Sequence, residues 1–334
     1  MESSTGAPQS PRMEEELPVV LVHRRPSATF VIPLKARLQA HFRVLDPCDS
    51  ADDSHTFLAR HGRSVRALLC ASLAPLPADT LELLPSLELV VISTAGIDHV
   101  DLRFCRRRGI TVTNASAALA EDAADHAVAL LIDVLRRITA ADRFVRAGSW
   151  PVKGEYPLGS KLRGKRVGIV GLGTIGSGIV KRLAALGCII SYTSRSKKPT
   201  VPFAYIGNVV ELASNSDALI VCCPLTQGTH HIISEEVMRA LGKGGVVVNV
   251  GRGALIDEER MVELLVRGEL GGAGLDVFEN EPDVPKELLE LDHVILTPHS
   301  AVTTPESFRA VEDLIVDNFI AFFSNKPLLS VVQL

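Results

Sequence analysis

Three polar residues in the last part of the chain follow apolar runs and could together carry out acid catalysis. They are Arg252 in Val248-Asn-Val-Gly-Arg-Gly253, Glu281 directly before a proline, and His299 after Leu296-Thr-Pro. Taken singly, they fit a turn residue between glycines, an exposed acid and a loop histidine. Together they supply an anion anchor, a proton donor and a carboxylate that orients the donor. Hydride reduction of a 2-oxo acid needs such a set, because the carbonyl oxygen must gain a proton as its carbon gains the hydride.

A glycine-rich stretch after a short apolar run, Val167–Val170, indicates where the hydride carrier would bind. The pattern G-x-G-x-x-G comprises Gly171, Leu172, Gly173, Thr174, Ile175 and Gly176. Its first glycine permits a tight turn, its second lets the backbone approach a pyrophosphate, and its third lets a helix pack on the strand. The predicted helix over 174–186 would then direct free N–H groups at the phosphates. From this stretch alone, a strand-to-helix turn without a ligand remains the alternative.

The residues after the next predicted strand favour one dinucleotide over another. An NAD site normally places an acidic residue about 20 positions beyond the glycines, where it binds the ribose 2′-hydroxyl. This chain has no Asp or Glu from 156 to 210, and Ser194, Arg195 and Ser196 end the strand instead. A guanidinium fork suits phosphate oxygens. The sequence therefore predicts NADP(H), with a solvated basic loop as the alternative interpretation of the run.

The elements that must position these residues alternate in type along the chain. Short apolar runs separated by helical patterns predict α/β structure, and strands buried on both faces should be near-continuous apolar runs such as Leu219–Cys223. We predict two Rossmann-like, doubly wound parallel-sheet domains with an active-site cleft between them. A mostly helical stretch from 116 to about 147 would bridge them, and 149–160 would be an irregular connection.

The predicted domain boundaries follow from this order of elements. Residues 1–17, with a Glu14-Glu15-Glu16 run, should be a disordered tail. Residues 18–117 plus 300–334 should form the substrate-binding domain, since the last helical pattern, 305–323, follows a completed second sheet. Residues 118–299 should form the NADP-binding Rossmann domain.

Composition narrows the function class. The 334 residues are 46% hydrophobic and carry a net charge of -4, so there is no general attraction to nucleic acid. No apolar run reaches the roughly 18 residues of a membrane helix, and no targeting segment is recognisable, so a cytoplasmic protein without a membrane partner is expected. Six cysteines lack the spacing of a disulfide framework or a zinc site. We expect reduced thiols and no metal.

Several long motifs in order resemble one family, the D-isomer-specific 2-hydroxyacid dehydrogenases, and within it the plant glyoxylate/hydroxypyruvate and hydroxyphenylpyruvate reductases. The resemblance covers nearly the whole chain from about Leu17. Its motifs are Gly171-Leu-Gly-Thr-Ile-Gly176, Ser194-Arg-Ser196, Asn249-Val-Gly-Arg-Gly253, Gly272-Ala-Gly-Leu-Asp-Val-Phe-Glu-Asn-Glu-Pro282, Pro298-His-Ser300 and Phe323-Ser-Asn-Lys-Pro-Leu-Leu329.

The resemblance implies a role for each matching residue. Arg252 would hold the substrate carboxylate and carbonyl oxygen, His299 would protonate that oxygen, and Glu281 would hydrogen-bond the histidine and favour its imidazolium form. The loop Ala95-Gly96-Ile97 would bind the substrate carboxylate, and Leu73 would face the substrate side chain. The remaining implied contacts are to the cofactor, from Asp276 to the nicotinamide carboxamide and from Val250, Gly251, Pro224 and Thr229.

The implied activity is NADPH-dependent reduction of hydroxypyruvate, glyoxylate and, as an open case, 4-hydroxyphenylpyruvate, to D-2-hydroxy acids or glycolate. Many relatives have Val-Gly where this chain has Ala95-Gly96, so substrate choice stays open. The alternatives are an NAD-dependent member such as a phosphoglycerate dehydrogenase, and a dinucleotide-sensing scaffold resembling the corepressor C-terminal binding proteins. A homodimer is implied, in which Trp150 either reaches the neighbouring active site or anchors the interdomain connection.

Overall fold

Two parallel β-sheets form the framework of the computed structural model, which describes residues 17–28 and 30–334. The predicted tail lies outside these residues except for its last position. The first sheet contains β1 (Val19–His23), β2 (Arg43–Leu45), β3 (Ala67–Cys70), β4 (Leu89–Ile92) and β5 (Thr111–Thr113). Its spatial order is β2-β1-β3-β4-β5, and every neighbouring pair is parallel.

The second sheet has seven strands and is also parallel throughout. They are β6 (Arg166–Val170), β7 (Ile189–Thr193), β8 (Ala204–Tyr205), β9 (Ala218–Val221), β10 (Val246–Asn249), β11 (Gly272–Leu275) and β12 (Val294–Leu296). The order β12-β11-β10-β9-β6-β7-β8 reverses direction between β6 and β9, as in a doubly wound fold. Strands β9 and β10 are buried along their whole length, which explains their uninterrupted apolar runs.

Helices cover the faces of both sheets. They are α1 (Val31–Gln39), α2 (Ser54–His61), α3 (Ala78–Glu82), α4 (Leu102–Arg108), α5 (Ser116–Arg136), α6 (Ile138–Arg146), α7 (Trp150–Lys153), α8 (Thr174–Ala185), α9 (Val209–Ser214), α10 (Glu235–Leu241), α11 (Glu258–Val266), α12 (Lys286–Leu289) and α13 (Pro305–Phe323). Three short 3₁₀ helices span Pro47–Asp49, Gly62–Ser64 and Gly253–Leu255. No helix in the described ranges combines the length and apolar character needed to cross a bilayer.

Two long helices connect the halves of the molecule. Helix α5 packs through Ala127 and Leu131 into the core of the second sheet, while α13 packs through Ile315 and Phe319 into a core shared with the first. The C-terminal helix thus returns to the N-terminal sheet. The division at 117/118 and 299/300 stays a prediction, and α5 also reaches the core of the first sheet through Leu119.

The long helical stretch is interrupted once. Arg137 has φ 56°, which ends α5, and Asp133 accepts a hydrogen bond from the Thr139 backbone N–H at 2.8 Å as α6 begins. The connection expected to be irregular contains the single turn α7. The break redirects α6 and α7 so that they expose Val145 and Trp150.

Candidate active site

The predicted site residues follow the carboxyl ends of strands in both sheets. The loop with Gly96 and Asp98 follows β4, and Arg252 follows β10. The two ends face each other, because the Arg252 Nε lies 3.1 Å from the Asp98 Oδ1. The cleft predicted between the sheets is therefore spanned by an ion pair.

His299 and Glu281 form a direct pair. The His299 Nδ1 lies 2.8 Å from the Glu281 Oε2, and both side chains are about one-third exposed, at 30% and 32%. The His299 backbone adopts φ 51°, and its N–H donates to the Asp276 carbonyl oxygen at 2.8 Å, which holds the loop that carries the ring. No described residue bonds to the His299 Nε2. That nitrogen can donate a proton to a ligand.

The environment of Glu281 keeps it ionised. Partial burial acts to raise its pKa, but the hydrogen bond and charge of His299, the Phe278 backbone N–H and the charge of Arg252 together hold the pKa below its ordinary value. The Phe278 N–H reaches the second carboxylate oxygen at 3.1 Å. An ionised carboxylate held in this way accepts the hydrogen bond from the His299 Nδ1 and orients the ring.

Arg252 is held by its own loop and by Asp98. The buried Asn249 accepts from the Gly251 N–H at 3.0 Å and donates to the Arg252 carbonyl oxygen at 2.8 Å. The Arg252 Nη1 donates to the Gly251 carbonyl oxygen at 2.8 Å. Its Nη2 lies so close to Gly96 that any side chain at 96 would overlap it. The guanidinium is thereby placed beside the loop that was expected to bind a carboxylate.

That loop presents unused backbone donors. The Asn114 side chain donates to the Ala95 carbonyl oxygen at 2.9 Å, and the Thr94 hydroxyl to that of Gly96 at 2.7 Å. Among the residues that the structure describes, no acceptor pairs with the backbone N–H groups of 95–97. Together with the Arg252 guanidinium they provide donors for an anion.

The wall near Leu73 contains two histidines that the sequence did not single out. His99 follows Asp98, and both of its ring nitrogens are buried without a hydrogen-bond partner in the described chain. The His23 Nε2 lies 2.8 Å from the Pro75 carbonyl oxygen. Burial lowers the pKa of both histidines, so this wall is polar and uncharged near neutral pH. Leu73 itself is partly exposed.

The glycine-rich loop has the form that a dinucleotide requires. Gly171 has φ 103°, and a Cβ there would approach the Cys223 Cα to 2.6 Å, whereas a Cβ on Gly173 would meet no protein atom within 4 Å. Helix α8 starts at Thr174 without a side-chain cap, and Ile175 and Gly176 complete its first turn. Leu172 is buried beneath the loop. Open space above Gly173 and uncapped N–H groups together fit a pyrophosphate.

Further predicted cofactor residues follow β7 and β9, the strands on either side of β6 and its glycine-rich loop. Arg195 is exposed directly after β7, and no side chain in the described residues pairs with its guanidinium. The flanking Ser194 hydroxyl donates to the Ser196 carbonyl oxygen at 2.7 Å. Beyond β9, the Thr229 hydroxyl donates to the Pro224 carbonyl oxygen at 2.8 Å and closes a turn.

Asp276 lies buried after β11, beside Val250 and Gly251 at the end of β10. Its carboxylate accepts from the Thr297 hydroxyl at 2.7 Å and from the Ser300 and Ala301 N–H groups at 2.8 and 3.0 Å. Burial acts to raise its pKa, but these bonds and one from His126 lower it overall. Three of these four contacts are to Oδ1, and among the described residues only the Ala301 N–H bonds to Oδ2, so Oδ2 has an acceptor position left for a ligand.

Comparison with known proteins decides the family. The model of the NAD-binding domain of D-isomer specific 2-hydroxyacid dehydrogenases matches residues 128–301. The chain is 55% identical to a glyoxylate/hydroxypyruvate reductase of Arabidopsis thaliana, over 96% of this chain and 98% of that protein. The protein belongs to the D-isomer-specific 2-hydroxyacid dehydrogenase family. It is also 50% identical to a hydroxyphenylpyruvate reductase of Plectranthus scutellarioides, over 83% of this chain and 88% of that one.

Solved members of the family share the fold. The NADPH-dependent glyoxylate/hydroxypyruvate reductase of Sinorhizobium meliloti, solved with NADP and malonate, superposes with a TM-score of 0.84 at 38% identity, covering 94% of this chain and 96% of that one. The 2-hydroxyacid dehydrogenase of Ketogulonicigenium vulgare superposes with a TM-score of 0.85 at 36% identity, covering 96% of this chain and 99% of that one. The predicted fold class and family are confirmed.

Sequence reasoning about this family member missed Asp98, Asn249 and the two histidines near Leu73. Asp98 is one carboxylate in a loop, 154 positions away from the arginine that it pairs with. Asn249 was visible only as part of a motif, and His99 had no pattern around it. The one available signal for Asp98 was its position directly after the Ala95–Ile97 loop.

Proposed function

We propose that the protein reduces small 2-oxo acids to D-2-hydroxy acids with NADPH, and that hydroxypyruvate, glyoxylate and 4-hydroxyphenylpyruvate are its candidate substrates. The observation that carries this proposal is the His299–Glu281 pair, which shares one cleft with Arg252. The activities named for the relatives from Arabidopsis thaliana and Plectranthus scutellarioides support the substrate class.

The charged and backbone donors of the cleft would orient the substrate. A 2-oxo acid carries a carboxylate next to its carbonyl, and the Arg252 guanidinium can reach both groups with its planar fork. The free N–H groups of Ala95, Gly96 and Ile97 would take the remaining carboxylate oxygen. Leu73 would contact the substrate side chain.

His299 would supply the proton. A bound NADPH supplies the hydride to the carbonyl carbon, so the carbonyl oxygen gains an electron pair and needs one proton. The free Nε2 of imidazolium His299 would donate that proton, and Glu281 would stabilise the charged ring beforehand. The ring is 30% exposed, so solvent can reprotonate it after each turnover.

The cofactor preference rests on one loop. Ser194, Arg195 and Ser196 would bind the 2′-phosphate, and residues 171–176 would hold the pyrophosphate. Val250, Gly251 and Asp276 would contact the nicotinamide end, with Pro224 and Thr229 beside it. The complex of the Sinorhizobium meliloti reductase with NADP supports this assignment.

The test follows the loss of NADPH absorbance with the three candidate 2-oxo acids in parallel. His299→Gln should lower kcat by about 100- to 10,000-fold, since positioned acid catalysis is worth that much, while NADPH binding stays nearly unchanged. His55→Gln, on the exposed side of α2, is the matched control and should leave kcat unaltered. NADPH binding without turnover of any 2-oxo acid would replace the enzyme proposal by a dinucleotide-sensing scaffold.

Cofactor choice is tested separately. Arg195→Asp removes a cation and adds an anion where the 2′-phosphate would lie, so the Kd of NADPH should rise far more than that of NADH. Lys243→Asp makes the same charge change at an exposed position before β10, at the opposite end of the sheet from the cofactor loop, and should alter neither. Equal weakening of both cofactors by Arg195→Asp would favour the NAD-dependent alternative.

We further propose that the protein is a cytoplasmic homodimer. The six cysteines are all free, as expected in a reducing compartment. Helices α6 and α7 and the segment after them present apolar side chains to solvent, including Trp150 at 62% and Leu158 at 96% exposure. Trp150 is therefore not a buried anchor within one chain. A second copy would cover this surface.

A further inference from the structure

Two histidines and a glutamate come together next to the candidate active site and have no role in the proposed reduction. One ligand atom from each of His230, His231 and Glu279 lies within 4.8 Å of the other two. The His230 and His231 rings stack with centroids 3.9 Å apart, and the His231 Nε2 lies 2.8 Å from the Glu279 Oε1. Two imidazoles and one carboxylate form a ligand set typical of zinc.

The backbone brings adjacent histidines to the same side. His231 has φ 51°, in the left-handed region that non-glycine residues seldom adopt. In an extended segment neighbouring side chains point to opposite faces, but here both rings point the same way and stack at an interplanar angle of 29°. Both rings therefore lie on one side of the loop, and His230 must rotate out of the stack for the two rings to bind one ion, because each nitrogen lone pair lies in its ring plane.

The two ligand-bearing segments are fixed to a common support. The His231 N–H donates to the Ala254 carbonyl oxygen at 2.9 Å, and the Glu279 N–H donates to the buried Glu258 carboxylate at 3.1 Å. Glu258 is itself anchored in the first turn of α11. The loop after β9 and the segment after β11 are thus held at a constant distance by residues 254–258.

We propose that His230, His231 and Glu279 bind one divalent transition-metal ion of the zinc class. Zn–N and Zn–O bonds of about 2.0–2.2 Å place tetrahedral ligand atoms about 3.3 Å apart, so rotations of exposed His230 suffice to close the site. Three protein ligands leave the fourth position to water. Imidazole nitrogens select zinc, cobalt or nickel over magnesium and calcium, which prefer oxygen ligands.

The bound ion would join two loops of the active site. His230 and His231 directly follow Thr229, and Glu279 lies two residues before Glu281. The ion would therefore stabilise the segment that carries the catalytic carboxylate against local unfolding, by the binding free energy that it contributes only to the native state. This inference concerns metal binding and does not depend on the proposed substrate.

The test is isothermal titration of Zn²⁺ into the metal-stripped full chain without a histidine tag. We expect one Zn²⁺ per chain and a raised unfolding midpoint. His230→Gln should weaken Zn²⁺ at least about tenfold, since even losing an outer-shell partner of a metal ligand costs 10- to 100-fold. His230 makes no side-chain hydrogen bond within the described residues, so this variant should keep its fold and unfolding midpoint without metal.

Controls separate this site from other ligands. His55→Gln and Cys48→Ser, which remove an exposed histidine and the exposed thiol, should bind Zn²⁺ as the wild type does. Glu279→Gln should lose binding like His230→Gln, and excess Mg²⁺ should not compete. Undiminished affinity in His230→Gln, or a loss of binding in Cys48→Ser alone, would overturn the proposal.

Discussion

At the scale of single residues, the charge on Glu281 decides whether His299 has an orienting partner. The pKa of Glu281 lies below its ordinary value of about 4.3. A depressed pKa in the folded state contributes stability that is present above the unfolded value and is lost as pH falls through the folded one. The pair should therefore persist throughout the neutral and mildly acidic range.

The variant Glu281→Gln tests whether the carboxylate supports catalysis and whether it stabilises the fold at neutral pH. The variant keeps the shape of the side chain but cannot stabilise imidazolium, so kcat should fall at least about tenfold with little change in NADPH binding. The unfolding midpoint of the variant should lie below that of the wild type at pH 7. The difference between the two midpoints, the gap, should narrow as pH drops below about 4.3. Thermal unfolding from pH 3 to 7 measures this gap. A gap that stays constant or widens in acid would contradict the assigned sign.

Asp98 is the second residue whose charge matters. It pairs with the Arg252 Nε across the cleft, and both side chains are mostly buried, at 27% and 19% exposure. Asp98→Asn retains a weaker acceptor, so about 1.4 kcal/mol of charge-assisted bonding should be lost. We expect kcat/KM for the 2-oxo acid to fall about tenfold, mainly through KM, while the Kd of NADPH is unchanged.

A steady-state titration of the 2-oxo acid measures the change caused by Asp98→Asn. Asp313→Asn breaks an exposed contact with Arg37 between α13 and α1 and should alter nothing, because exposed pairs contribute little. If Asp98→Asn changed kcat alone, Asp98 would act on the chemistry rather than on the position of Arg252.

At the scale of elements, the turn from β6 into α8 contains one glycine that the fold requires and another that cofactor binding would require. Gly171→Ala would force a side chain into a left-handed position against the Cys223 backbone, and should lower the unfolding midpoint. Gly173 has an extended backbone, with φ -86° and ψ -155°, and open space at its Cβ position. Gly173→Ala should keep the wild-type midpoint without cofactor.

The same two variants should differ in NADPH titrations. An added methyl at 173 occupies the space where the pyrophosphate would approach, so affinity should fall at least about tenfold. Scanning calorimetry without cofactor and fluorescence titration with it give the two readouts. An unaltered NADPH affinity in Gly173→Ala would place the pyrophosphate elsewhere.

The elements differ in how clearly the sequence predicted them. Strands such as β9 and β10 are buried on both faces and appear as apolar runs, and their carboxyl ends share one edge, so Arg252 and His299 could be placed near one another in advance. Edge strands β2 and β8 have three and two residues and carry no such run. The break at Arg137 has neither glycine nor proline to mark it.

Contacts between segments far apart in the sequence could not be predicted, because local patterns describe only the segment in which they occur. Asp98 and Arg252 meet only because the two sheets face each other, and no periodicity in one segment records the position of another. His231 and Glu279 follow β9 and β11 of a single sheet, and their pairing likewise depends on how strand ends far apart in sequence are arranged in the folded chain. Local patterns therefore predicted the strand ends, while the partners across the cleft required the assembled structure.

At the scale of the whole molecule, α6, α7 and the following segment form an apolar surface that the single chain leaves open. Trp150, Val145 and Tyr156 line a groove of about 200 Å³ on this surface. Val152 is 84% exposed beside it. If a second copy covers this surface, a carboxylate at 152 would be buried without a partner, which costs well over 2 kcal/mol.

Val152→Asp should therefore weaken dimerisation at least about 30-fold and leave the circular dichroism spectrum of the chain unchanged. Ile32→Asp introduces the same charge at a position 66% exposed on α1, away from this surface, and should remain dimeric. Sedimentation equilibrium over a range of concentrations distinguishes the two. Because Trp150 lies two residues before Val152, a monomeric variant that also lost reductase activity would place the Trp150 side chain in the active site of the neighbouring copy. A monomeric variant with full activity would show that each cleft is complete within one chain, and a dimeric Val152→Asp would move the interface to another face.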